Sequence, residues 1–128
     1  MVISRSTGSR AEGFRIRYDD YLKNFGTIVT LNTKTEVKDS MGRMTSISST
    51  SKSIMADIQY VTKQDLLHLN VGDVEIGDGM LFVKYNETIN LHDEVVFNNI
   101  TWRITSQIEG ELVGGEVVYK GYIIKKND

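Results

Sequence analysis

The chain has 128 residues, of which 40% are apolar and 25% charged, with a net charge of -2 and no cysteine. This composition is typical of one globular domain, and it excludes disulfides, thiolate metal sites and thiol catalysis. A charge balance this even gives no overall basic field for nucleic acid, and no apolar run approaches the roughly 20 residues of a membrane span.

The first 13 residues are polar and mildly basic, and we expect them to form a flexible arm ahead of a single domain at 14–128. The aromatic and leucine residues that follow recur at helical spacing up to Phe25, and Asn24 and Gly26 supply a stop. The spacing predicts an amphipathic helix of two to four turns. Phe14 and Ile16 alternate with arginines, which leaves an extended beginning open.

Residues 27–32 are rich in β-branched side chains and follow a glycine, so they are predicted to form a strand. The next 20 or so residues are dominated by serine, threonine and charge, and we expect a long polar hairpin loop at 38–53. Residues 54–61 then alternate apolar and polar side chains, which predicts a half-buried strand.

The second half of the chain alternates short apolar segments with turn residues. Thr62 and Asp65 form a capping pattern that predicts one or two helical turns ending near 70–72. Strands are predicted at 80–85, 95–97, 100–104 and 117–124, with a two-residue turn at Asn98 and Asn99 and a loop at 109–115. The expected fold is therefore mainly β: a single small antiparallel β-barrel or sandwich with six or seven strands and one or two short helices.

No pattern in the chain indicates catalysis or a cofactor. His68 and His92 stand in separate contexts without metal-ligand spacing, and the acidic residues Asp73, Glu75 and Asp78 lack the order of a calcium loop. No nucleophile elbow or phosphate loop occurs. We expect a non-enzyme without metal or cofactor.

The aromatic residues of the second half allow two interpretations. As a surface they would stack the bases of a single-stranded nucleic acid, and as inward-facing strand residues they would form the core. Their alternation with valines favours the core. The residues concerned are Phe82, Tyr85, Phe97, Trp102, Tyr119 and Tyr122.

Four segments together resemble the head-tail connector proteins of tailed viruses, known as stoppers, head-closure or head-tail joining proteins. The resemblance covers about residues 14–125, and the segments are 21–31, 56–66, 74–79 and 89–104. The last is similar to the family's hairpin pattern of an aspartate, a turn and an aromatic strand, here Asp93, Asn98-Asn99 and Trp102. Asn98-Asn99 stands where a glycine-containing turn is usual.

The resemblance implies a structural virion protein, made in the host cytoplasm, that forms a homo-oligomeric ring of six or twelve copies between portal and tail on the DNA exit path. Its partners would be itself, the portal or adaptor, tail proteins and the packaged DNA, with no membrane. A tail-completion or terminator ring and a single-stranded nucleic-acid module stay open as alternatives. The candidate interaction residues are Arg5, Arg10, Arg15, Arg17, Lys38, Arg43 and Lys52.

Overall fold

The computed structural model of the protein describes residues 10–68 and 74–127. These residues form a closed barrel of six antiparallel strands with two helices on its outside. The elements in chain order are α1 Arg10–Phe25, β1 Thr27–Lys38, β2 Met44–Tyr60, α2 Lys63–His68, β3 Gly79–Lys84, β4 Glu94–Phe97, β5 Ile100–Val113 and β6 Glu116–Lys126. The predicted mainly β fold is confirmed in its barrel form.

The barrel closes in the order β1-β2-β3-β6-β5-β4, with β4 returning to β1. The short strand β4 pairs along its whole length with β5, and three of its residues pair with 30–32 of β1. Within the part of the chain that the structure describes, the alternation of side chains places apolar residues inside. This inner core consists of Val29, Leu31, Ile54, Ala56, Leu81, Val83, Ile89, Val95, Phe97, Trp102, Ile104, Tyr122 and Ile124.

A second, smaller apolar cluster lies on the outside of the barrel. Val61, Met80 and Ile123 are buried there against partly buried side chains that include Leu66 of α2 and Phe82 of β3. The first turn of α2 is held as the capping pattern predicts: the Asp65 amide donates to the Thr62 hydroxyl, and the Thr62 amide donates to the Asp65 carboxylate at 2.9 Å. The predicted end of this helix lies outside the described residues.

Helix α1 is longer than the spacing of its apolar residues indicated. It begins at Arg10, so residues 10–13 of the expected arm are helical, while 1–9 lie outside the described residues. The helix also includes the stretch near Phe14, for which the alternation with arginines left an extended beginning open. Leu22 is its most buried side chain, and the Gly26 amide closes the helix on the Leu22 carbonyl at 2.8 Å.

The polar hairpin expected between the first two strands is present, but the loops predicted at 38–53 and 109–115 are both too long. Residues 44–53 belong to β2, and their backbone pairs with β1 as far as Lys38, so the turn between the strands spans only 39–43. Similarly, β5 runs to Val113 and turns at Gly114 and Gly115, both with positive φ. The β1–β2 pairing extends beyond the barrel, where both faces are exposed and hydrophobic alternation gives no signal. In the β5–β6 hairpin one face is covered, since α1 packs on β6 and Val118 is only 2% exposed.

The predicted turn at Asn98-Asn99 is confirmed, with φ of 52° and 61° in the hairpin between β4 and β5. Two successive left-handed residues match a type I′ turn, which glycine and asparagine tolerate best. We expect Asn99→Val to lower the free energy of unfolding by about 1–2 kcal/mol, because a β-branched residue is strained at positive φ. Asn99→Gly should leave it unchanged or slightly raised.

Urea unfolding of the two variants, followed by tryptophan fluorescence, checks this expectation. Asn99→Gly serves as the control because it also removes the side chain but accepts the backbone conformation. An equal loss in both variants would contradict it, since the side-chain contacts rather than the backbone would then be decisive.

Candidate functional site

The described residues bring together no metal centre. No group of three or more His, Asp or Glu side chains within 10–68 and 74–127 is placed to hold an ion. His92 is exposed in a turn at φ 73°, and Asp78 forms an ion pair with Lys125 at 2.9 Å while accepting the Glu75 amide. Asp73 lies outside the described residues. In the same ranges, no helix has the length and apolarity needed to cross a membrane.

The feature that stands apart from the barrel is the outer half of the β1–β2 hairpin, residues 33–50, which we name the projecting hairpin. Pairing of β1 with β4 ends at Asn32, and pairing of β2 with β3 begins at Asp57. The projecting hairpin therefore pairs only with itself, over roughly 20 Å. Nearly all of its side chains are exposed.

The composition of the projecting hairpin changes where the strands leave the barrel. The face that carries Val29 and Leu31 inside the barrel continues as Thr33 and Thr35, opposite Thr50 and Ser48. Inside the barrel this face is dry, whereas beyond it both faces meet water and small hydroxyl side chains replace the apolar ones. The serine-rich segment is thus the solvated continuation of a core strand.

The tip of the projecting hairpin is an ordered turn organised by Asp39. One oxygen of its carboxylate accepts the backbone amides of Met41 and Arg43, both at 2.9 Å, and the other accepts Arg43 Nε at 3.2 Å. These hydrogen bonds, that from the Arg43 amide first, lower the pKa of Asp39. Apolar side chains surround this turn and are exposed: Val37, Met41, Met44 and Ile47.

The base of the projecting hairpin is fastened to the barrel mouth. Thr33 donates its hydroxyl to Asp93 at 3.0 Å, and the same carboxylate oxygen accepts the Asn90 amide at 3.0 Å. Asp93 is only 5% exposed. Outside this contact, Lys34 approaches Glu94 at 3.8 Å and Lys52 approaches Glu87 at 3.4 Å. These contacts give the hairpin a defined direction.

Removing the Asp93 carboxylate should therefore destabilise the protein. In Asp93→Ala, the Thr33 hydroxyl and the Asn90 backbone amide lose their buried hydrogen-bond acceptor. We therefore expect the free energy of unfolding to fall by about 1–3 kcal/mol. The control is Asp20→Ala on α1, where the side chain is exposed and the expected change is within about 0.5 kcal/mol. Equal losses measured by urea unfolding would contradict the buried role of Asp93.

The structure separates the candidate interaction residues into three groups. The first group lies on the β1–β2 hairpin, with Lys38 and Arg43 at the tip of the projecting hairpin and Lys52 at its base. Arg15 fastens α1 to the barrel, with its guanidinium 3.9 Å from the Tyr85 ring centre and Nε donating to the Val117 carbonyl. Arg10 and Arg17 are exposed on α1, and Arg5 lies outside the described residues.

The sequence-predicted aromatic platform is divided between core and surface. Trp102 is fully buried and stacks on Phe97 at 5.4 Å, and Tyr122 is buried as well. These rings are not available to stack bases on the surface. Phe82 and Tyr119 instead point outward, toward α1, which places them in a cluster that the sequence did not indicate.

This cluster, which we name the aromatic pocket, is formed by Tyr18 and Tyr21 of α1 with Phe82 and Tyr119 of the barrel. Tyr18 stacks on Tyr119 at 4.7 Å and on Tyr21 at 6.0 Å, and the Phe82 ring meets Tyr119 edge-on at 5.7 Å. The pocket has a volume of about 430 Å³ and is open to solvent, and Asp57 and Gln59 of β2 complete its lining.

Asp57 makes the aromatic pocket electronegative. Its Oδ2 accepts hydrogen bonds from the Tyr21 hydroxyl at 3.2 Å and from Gln59 Nε2 at 3.0 Å, and no ion pair to Asp57 occurs among the described residues. Burial, and then the Asp57 charge, raise the pKa of Tyr18 and of Tyr21. Burial and the charge of Glu111 raise that of Tyr119.

The aromatic pocket joins α1 to β2, two segments that are distant in the sequence, which explains why the sequence did not predict it. Tyr21 and Asp57 are 36 positions apart, and only the packing of α1 across β2 joins them. The helical spacing of Tyr18, Tyr21 and Phe25 did identify one face of α1, but it reads equally well as a core face. No pattern marks Asp57, which occupies an ordinary outward position of an alternating strand.

The raised pKa of Tyr18 predicts a loss of stability at alkaline pH. The unfolded chain ionises its tyrosines above about pH 10, whereas the folded chain keeps Tyr18 protonated there. The contribution of Tyr18 to the free energy of unfolding is therefore fully present below about pH 10 and is lost as the pH rises toward its raised pKa. Tyr18→Phe should reduce that loss. At neutral pH it should cost little, because the Tyr18 hydroxyl is buried without a hydrogen-bond partner.

Thermal unfolding of both proteins between neutral and alkaline pH measures this difference. Asp57→Asn is the companion variant, and spectrophotometric titration should show its pocket tyrosines ionising at lower pH than in the parent. Identical alkaline slopes in the parent and Tyr18→Phe would contradict the assignment.

Comparison with known proteins supports the fold but indicates no family or function. No family model matches the chain, and no curated protein matches it. Among solved structures, the chain is similar to protein SF1141 from Shigella flexneri 2a, determined in solution. The TM-score is 0.54 at 13% identity, over 77% of this chain and 89% of that one. At this identity the likeness shows a shared fold alone.

Proposed function

We propose that the protein is a structural subunit of the head-tail interface of a tailed virus, forming a ring between portal and tail through its projecting hairpin. The observation that carries the proposal is the hairpin itself, an ordered element with both faces and both outer edges exposed. The resemblance of the Asp93 to Trp102 segment to the connector proteins supports it from the sequence.

The physics of two-stranded sheets supports an intermolecular role for the projecting hairpin. A hairpin on its own is marginally stable in water, and its unpaired edges are places where another chain can add. The barrel offers few such edges, because its six strands close on themselves. In the proposed ring, contact with neighbouring subunits is therefore concentrated at the hairpin.

The residues that the connector pattern shares with this chain have structural roles that suit a scaffold protein. Asp93 ties the hairpin base to the barrel, Asn98 begins the tight turn in which Asn99 stands in place of the usual glycine, and Trp102 fills the inner core. The pattern thus describes how the barrel is closed and how the hairpin is anchored. None of these residues needs to react with anything for the protein to act as a ring subunit.

A shortened chain tests the proposal. Joining Thr35 directly to Ser48 through an Asn-Gly turn removes the tip of the projecting hairpin and keeps an existing cross-strand pair. We expect the barrel to unfold cooperatively as before, while assembly on purified portal rings of the same virus is lost. Native mass spectrometry of the mixtures measures this.

The control replaces Gly114-Gly115 by Asn-Gly, which alters the other long hairpin without shortening it. A full-length chain that stays monomeric in the presence of portal rings would overturn the proposal, as would a shortened chain that assembles equally well. Assembly on tail tubes instead of portals would indicate a tail-completion role. Salt-dependent binding of single-stranded oligonucleotides without any ring would favour the nucleic-acid alternative.

A further inference from the structure

We propose that the tip of the projecting hairpin of one copy docks in the aromatic pocket of the next copy, with Arg43 against Asp57 and the tip methionines on the tyrosine rings. This inference names the partner surface of the hairpin and rests on the proposed ring. The exposed apolar tip of one copy would contact the electronegative pocket of its neighbour.

The aromatic pocket suits a guanidinium. Its lining is aromatic, and arginine packs well against aromatic rings, while Asp57 supplies a carboxylate without an ion pair among the described residues. The Asp57 oxygen that accepts from Tyr21 and Gln59 fixes the direction of the carboxylate. Glu111 and Arg17 line the adjoining depression, and their charges offset each other.

The tip of the projecting hairpin carries the complementary groups. The Arg43 side chain is 74% exposed, with its Nε paired with Asp39 and its Nη2 donating to the Met41 sulfur at 3.8 Å, so Arg43 and Met41 lie together at the tip. Met41 and Met44 are 77% and 55% exposed. Methionine sulfur packs favourably on aromatic rings, so two thioethers beside a guanidinium match tyrosines beside a carboxylate. Lys38 adds a second positive charge at the tip, against the single carboxylate of Asp39.

The contact has to join different copies. Strand β2 carries the tip at Met44 and the pocket at Asp57, so 13 residues of extended chain, roughly 40 Å, separate the two within one molecule. A tip-to-pocket contact is therefore head-to-tail, using two different surfaces of each copy. Such contacts repeat from copy to copy and close into a ring when the rotation allows it.

Cross-linking through introduced cysteines tests the contact, because the parent chain has none. The variant carrying both Met41→Cys and Gln59→Cys is treated with a short thiol cross-linker, alone at high concentration and assembled on portal rings. We expect a ladder of dimers, trimers and larger species, since each copy offers both a tip and a pocket. Each single variant should give dimers at most. The control pair combines Met41→Cys with Thr88→Cys, which is exposed in the loop between β3 and β4 and does not line the aromatic pocket, and it should give no ladder.

Charge exchange supplies a second measurement in the same assay. Asp57→Asn should lower the yield of the ladder about tenfold, whereas the matched control Asp20→Asn on the exposed side of α1 should not change it. Asp57→Arg should abolish the ladder, and adding Arg43→Asp should restore part of it. Circular dichroism of each variant confirms that the barrel is folded.

The outcomes separate this inference from the proposed function. Absence of the ladder both alone and on portal rings overturns the tip-to-pocket contact. If the chain still assembles on the portal in that case, the ring proposal stands without it. A ladder formed by a chain that ignores portal rings supports the contact and overturns the connector role. A ladder insensitive to Asp57 substitution overturns the pairing of Arg43 with Asp57.

Discussion

The closure of the barrel by β4 is the constraint on which the rest of the structure depends. This strand has only four residues, yet it pairs with β5 on one side and with β1 on the other. Because β1 and β2 are three to four times longer, they leave the barrel together once β4 ends. The projecting hairpin is therefore a direct consequence of unequal strand lengths. The buried Asp93, immediately before β4, ties the hairpin to the strand that ends the barrel wall.

The outer surface of the barrel is also organised, because β3 and β6 use both of their faces. Leu81 and Tyr122 point inward, while Phe82 and Ile123 point outward and pack under other elements. Gly121 allows this arrangement, since a Cβ there would lie 2.9 Å from the Phe82 ring. The ring covers the glycine and meets Tyr119 at its edge. The aromatic pocket is thus built on a well-packed part of the sheet, which holds its geometry firmly.

The sequence predicted those features that local chemistry decides. The Thr62 cap, the Asn98-Asn99 turn and the alternation of Ile54, Ala56 and Ile58 each follow from neighbours in the chain, and each was predicted with the right conformation. The serine-rich half of β2 was not, because a strand solvated on both faces has no hydrophobic period. The aromatic pocket was not predicted either, since it depends on how α1 lies across β2. Local signals therefore located the barrel, while long-range packing decided where the aromatic pocket lies.

In the proposed ring, the projecting hairpin has two parts with different physical roles. The paired residues 33–37 and 46–50 form its shaft, which carries small hydroxyl groups on one face and Lys34 and Glu36 on the other. The shaft is poorly suited to nonspecific edge pairing, since charged and polar side chains protect exposed strands. Its tip carries the exposed methionines and Arg43, where burial on docking provides the binding energy. The shaft then sets the distance between copies, and the tip sets the affinity. A contact of this kind constrains the length of the shaft more strongly than its sequence, which accounts for a long, simple stretch of serine and threonine between two chemically specific ends.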